Sequence, residues 1–118
     1  MNNTKMTKEQ IESELSQFYG TEQWWKNDLL NFTYTDGVKF IHESCEAYWL
    51  LIAISSYKRT EPFQVWELKV NNNKAVLTMR EDTNKPIKVR QVISFTDFPL
   101  DEIKFYLIDN VLLLPSEY

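Results

Sequence analysis

The spacing of apolar positions divides the chain into a helical first half and an extended second half. Thr7 and Gln10 have the spacing of a capping box, and Ile11, Leu15 and Phe18 then recur at helical intervals. This predicts a short amphipathic helix over 7–19, with Gly20 placed to close it in a left-handed conformation. A longer helix is expected from Gly37 to about Tyr57, with Asp36 as its N-cap. At 100° per residue Val38, Ile41, Cys45, Trp49, Ile52 and Ser56 form one narrow stripe. Beyond Cys45 nearly every side is apolar, so this helix is expected at the centre of the core.

After Pro62 the period shortens. Segments 63–70, 74–81 and 87–95 are rich in Val, Ile, Phe and Trp, and they are separated by Asn71-Asn-Asn73 and Asp82-Thr-Asn-Lys-Pro86. Asn and Asp tolerate positive φ, so these are turns and the three segments form an antiparallel meander. Pro99-Leu-Asp-Glu102 has the look of a helix start, while Ile103, Phe105 and Leu107 alternate with Lys104 and Tyr106. A helical turn followed by a hairpin through Asp109-Asn110 is the favoured reading, with a helix over 103–108 as the alternative. The predicted architecture is α+β. A short N-terminal helix and a long central helix pack on an antiparallel sheet of four or five strands, within one domain over 7–118 preceded by a flexible segment 1–6.

Composition narrows the function more than it identifies it. The chain has 118 residues, with one Cys, one His, 2 Gly and 4 Pro. One cysteine excludes an internal disulfide framework and a Cys-based zinc cage, and one histidine excludes multi-His metal sites. No apolar run approaches the ~20 residues that span a bilayer, so a cytoplasmic protein with a reduced thiol is expected. The net charge is −4, which opposes general nucleic-acid binding at long range. That charge is unevenly spread. Residues 58–91 hold eight basic and four acidic side chains, and the rest of the chain holds five and thirteen.

The central helix carries the candidate chemistry. His42, Cys45 and Glu46 lie within four positions, which would suit a nucleophile, a base and an orienter. Cys45 falls in the apolar stripe, however, where burial leaves a thiol inert. A metal reading joins His42 and Glu46 with Asp36 or Glu43, but lacks a second His. An enzyme would need a cleft near the start of this helix built from Asp36, His42 and Glu46. The carboxylates Asp97, Asp101, Glu102 and Asp109 occupy turn and cap positions and are read as structural. A basic sheet face over 58–91 would suit nucleic acid, but Trp66 alternates away from Glu67 and Lys69 and offers no base-stacking platform there.

The aromatics point to binding instead. Trp24 and Trp25 are adjacent, and on a helix or a strand they cannot both face one core. One is expected at a partner surface, unless both cap the ends of the central helix. Tyr118, after an apolar strand, is expected to dock back on the fold or to pair across a homodimer. The favoured function is a non-catalytic accessory or interaction domain that binds a protein partner or itself, with no cofactor and no metal.

Six motifs in combination carry a resemblance. Phe18-Tyr-Gly-Thr-Glu22, Tyr34-Thr-Asp-Gly-Val38, Ala47-Tyr-Trp-Leu50, Phe63-Gln-Val-Trp66, Thr96-Asp-Phe-Pro99 and Val111-Leu-Leu-Leu-Pro-Ser-Glu-Tyr118 resemble a small bacterial family of unknown function. The resemblance implies a single-domain protein, including members on mobile or phage-associated DNA, and transfers no catalytic residue.

Overall fold

The computed structural model describes residues 6–57 and 61–118. The expected flexible segment 1–6 lies outside the described residues except for Met6, which packs against the core. Of the basic central segment, Lys58 and Arg59 also lie outside them.

The first helix, α1 (Lys8–Leu15), starts as expected. Thr7 Oγ1 accepts from Gln10 N and the Gln10 side chain accepts from Thr7 N, which completes the capping box. It ends four residues early, at the C-cap Ser16, and Gly20 takes no part in closing it, because neither glycine adopts positive φ. Ile11 is fully buried, and Phe18 stacks on Phe40 beyond the helix end.

The central helix is two helices, α2 (Asp36–Ser44) and α3 (Tyr48–Ser55). Glu46 between them takes φ 52°. Ala47 N donates to His42 O at 2.9 Å and Glu46 N to Glu43 O at 3.4 Å, the paired bonds of a Schellman ending. Glu occupies the position where glycine usually marks such an ending, so the break has no composition signal. Its consequence is rotational. The continuous stripe holds through Val38, Ile41 and Cys45, but α3 then buries Leu50, Leu51 and Ile54 and leaves Ile52 exposed.

Among the described residues seven strands form one mixed sheet in the order β1-β2-β7-β6-β3-β4-β5. They are β1 (Trp24–Trp25), β2 (Thr33–Thr35), β3 (Phe63–Asn71), β4 (Lys74–Arg80), β5 (Ile87–Ile93), β6 (Glu102–Ile108) and β7 (Val111–Leu113). The meander β3–β4–β5 and the hairpin β6–β7 are antiparallel as predicted, and 103–108 is strand. Asn72, Asn73, Asp109 and Asn110 all have φ between 51° and 66°, so both two-residue turns match the twist of their strands. No helical turn forms at Pro99–Glu102. Two features correct the expected antiparallel sheet of four or five strands. The short β1 and β2 extend it, and β2 pairs with β7 in parallel. A parallel pair needs partners distant in sequence, and periodicity does not report them.

One face of the sheet meets the helices. Trp66, Leu68, Leu77, Phe105, Leu107 and Leu112 alternate onto it and are buried. Trp66 has 0% exposure and donates its Nε1–H to Gln64 Oε1 at 2.9 Å, so the buried ring and the buried amide satisfy each other.

Candidate binding surface

The N-terminus of α2 gathers residues from four parts of the chain. Thr35, not Asp36, is the N-cap: its Oγ1 accepts from Val38 N at 3.4 Å. The same hydroxyl donates to Glu117 Oε1 at 2.6 Å. Glu117 belongs to a 3-10 turn (Pro115–Glu117) after β7, and its carboxylate also accepts from Gly37 N and Leu114 N, each at 3.0 Å. A carboxylate against the positive end of a helix dipole, with three donors, is a strong arrangement. It fills the place where an external anion would otherwise bind. Gly37 allows this closeness, since a Cβ there would lie 2.6 Å from Leu114 Cδ1 and 2.7 Å from Glu117 Oε1.

Asp36 turns the other way. Its Oδ1 accepts from Trp25 Nε1 at 2.9 Å and its Oδ2 from Glu22 N at 3.0 Å, while its own N–H donates to Thr21 Oγ1. The Trp25 indole N–H first, and the Glu22 amide next, hold the Asp36 carboxyl below the usual carboxylate range. Lys39 Nζ sits 4.6 Å over the Trp25 ring and pairs with Glu43. Trp25 is therefore fastened to the start of α2. Trp24, its strand neighbour, points away and is 59% exposed on the outermost strand of the sheet. Tyr19 and Leu29, in the segments that lead into and out of β1, are exposed as well. The pair thus divides between a packed ring and an exposed one, and does not cap the two ends of a central helix.

The other predicted site residues do not converge on Asp36. His42 lies half-buried between the rings of Tyr34 and Tyr48, with both centroids at 5.4 Å. Its Nε2 and the Tyr48 hydroxyl are buried without hydrogen-bond partners among the described residues. Burial pushes the His42 imidazole below its usual range, and desolvation raises the Tyr34 phenol. Cys45 is buried, with the Ser44 hydroxyl 3.9 Å from its sulfur. Glu46 is exposed in the left-handed linker. No three His, Cys, Asp or Glu side chains among the described residues are grouped to hold a metal ion. Among the described residues no helix is long and apolar enough to cross a membrane. Of the C-terminal acids, Asp101 pairs with Lys8 at 2.7 Å and Asp109 forms the β6–β7 turn. Tyr118 docks back, edge-on to Tyr106 at 5.6 Å and beside Phe63 at 6.5 Å, yet remains 79% exposed.

A family model of unknown function matches residues 9–118. The chain belongs to the DUF6876 family. Neither the curated proteins nor the solved structures give a match. The quoted motifs of this DUF6876 chain fall on structural junctions. Tyr34-Thr-Asp-Gly-Val38 and Pro115-Ser-Glu-Tyr118 meet at the start of α2, and Ser116 Oγ donates to Phe18 O at 2.6 Å. Phe63-Gln-Val-Trp66 holds the Gln64–Trp66 pair. In Thr96-Asp-Phe-Pro99 the buried Thr96 hydroxyl accepts from Phe98 N at 3.1 Å, shaping the turn between β5 and β6. Sequence reasoning singled out Asp36 but missed Thr21, Thr35 and Glu117. The available signal for Glu117 was its place in the last of the six motifs, some eighty positions from the helix it caps.

Proposed function

We propose that this DUF6876 domain is a non-catalytic, cytoplasmic accessory protein that binds a protein surface, in the first instance a second copy of itself, through its β1 edge. The observation that carries this reading is Trp24, exposed on the outermost strand while Trp25 beside it is fixed by Asp36 and Lys39. An indole presented on an immobilised strand loses little conformational freedom on binding, and large aromatic rings dominate interface energetics. The open strand edge adds main-chain donors and acceptors that a second β1 can pair in the antiparallel sense, giving a two-fold dimer. The lone buried Cys45 suits a reducing compartment. Asp36, His42 and Glu46 sit in three separate surroundings, which favours binding over catalysis.

Sedimentation velocity over a concentration series tests this. The wild-type chain is expected to dimerise and Trp24→Ser to remain monomeric with an unchanged circular dichroism spectrum. A wild-type chain that stays monomeric at the highest soluble concentration overturns self-association.

A further inference from the structure

The sheet face opposite the helices carries a second surface at its far edge. The register sets Lys69, Val76 and Val92 in one row across β3, β4 and β5, with Glu67, Thr78 and Arg90 in the next row, Glu67 outside the groove lining, and Lys74 at the hairpin end. These side chains alternate onto the face away from Trp66. Lys69, Lys74, Val76, Arg90 and Val92 line an open groove of about 330 Å³. Val92 is 62% exposed on the edge strand, an unusual place for an aliphatic side chain to be left in water.

The three cations are unspent. Among the described residues the ion pairs engage Lys8, Lys39 and Lys88, and Lys69, Lys74 and Arg90 enter none. Glu102, opposite Lys69 on β6, comes no closer than the ion-pair limit and does not line the groove. Three like charges around an apolar floor call for a ligand with several carboxylates and aliphatic side chains between them.

We infer that this groove binds an acidic, aliphatic segment of a protein partner in extended conformation. Its carboxylates meet Lys69, Lys74 and Arg90, its apolar side chains lie on Val76 and Val92, and its main chain runs beside the open edge of β5. Two observations exclude the other occupants. A single-stranded nucleic acid needs rings to stack its bases, and no aromatic side chain lines the groove; Trp66 is buried on the opposite face. A second copy pairing through β5 about Arg90 would set Arg90 against Arg90, like charge on like charge, with Lys88 already held by Glu61 and Glu81. The surface is separate from β1, at the other end of the strand order.

The test uses fluorescence anisotropy on the full chain with three labelled probes. They are a peptide alternating glutamate with leucine, the same peptide with lysine for glutamate, and an oligo-dT strand. The glutamate peptide is expected to bind, more weakly as salt rises, and to lose at least tenfold in affinity in the double variant Lys74→Glu, Arg90→Glu. The lysine peptide is expected to bind only that variant. Trp24→Ser is expected to leave peptide binding unchanged, which separates this surface from the dimer reading. Tighter binding of oligo-dT than of the glutamate peptide overturns the inference. So does no binding of that peptide at low salt, or binding that charge reversal leaves intact.

Discussion

The two ends of α2 solve the same problem differently. At its start every polar group has a partner: Thr35, Gly37 and Leu114 bond Glu117, while Asp36 takes Trp25 and Glu22. At its end Glu46 sits in a left-handed conformation, α3 begins at Ala47 without a side-chain cap, and His42 Nε2 and Tyr48 Oη are buried without hydrogen-bond partners among the described residues. The first junction is over-determined by contacts from across the chain; the second is tolerated because the surrounding core fixes it. Side-chain chemistry from distant parts of the chain therefore marks the start of α2, while local main-chain bonds and core packing mark its end.

The largest expected effect comes from crowding the well-made junction. Gly37→Val pushes methyl groups into Leu114 and the Glu117 carboxylate, and should cost about 3 kcal/mol of unfolding free energy in urea melts, at the upper end of overpacking. Glu117→Ala leaves Gly37 N, Leu114 N and the Thr35 hydroxyl without their charged acceptor. A loss of about 2 kcal/mol is expected, with Glu117→Gln recovering part of it. A melt indistinguishable from wild type for the alanine variant would remove the distinction between the two ends.

The tolerated junction should respond in the opposite direction. Glu46→Gly relieves the left-handed penalty and is expected to stabilise by about 1 kcal/mol, measured in the same way. Destabilisation would mean that Glu46 contributes more through its side chain than its backbone costs.

The smallest effect is in pH. The His42 imidazole is held below its ordinary range, so the unfolded chain binds that proton more readily than the folded one. The contribution is fully present above the unfolded value of about 6.5 and is lost as pH falls from there through the lower folded value. His42→Phe should flatten this step. A second loss, from the lowered Asp36 carboxyl, is expected below about pH 4 and should disappear in Asp36→Asn. Stability that rises on acidification from pH 7 to 5 would contradict the first assignment.

This contrast also governs how much was readable beforehand. The capping box at Thr7, the Asn72-Asn73 and Asp109-Asn110 turns and the inward face of Trp66 were legible, because each depends on neighbours a few residues apart. The exposed member of the Trp24-Trp25 pair was legible in kind, since adjacent side chains must diverge. The break at Glu46 was not, because an acid stands where glycine would have announced it. Nor was the role of Glu117, whose partners Thr35 and Gly37 are brought to it by the parallel β2–β7 pairing and not by sequence spacing.

That pairing has a consequence for synthesis. The β3–β4–β5 meander joins strands adjacent in the chain and can form as it emerges from the ribosome. The β1–β2 segment must wait, because among the described residues its other neighbour in the sheet is β7 and the carboxylate that caps α2 follows β7. Until then Phe32, Tyr34 and the α2 stripe are without their final cover, so the nascent chain exposes apolar surface that the finished fold buries.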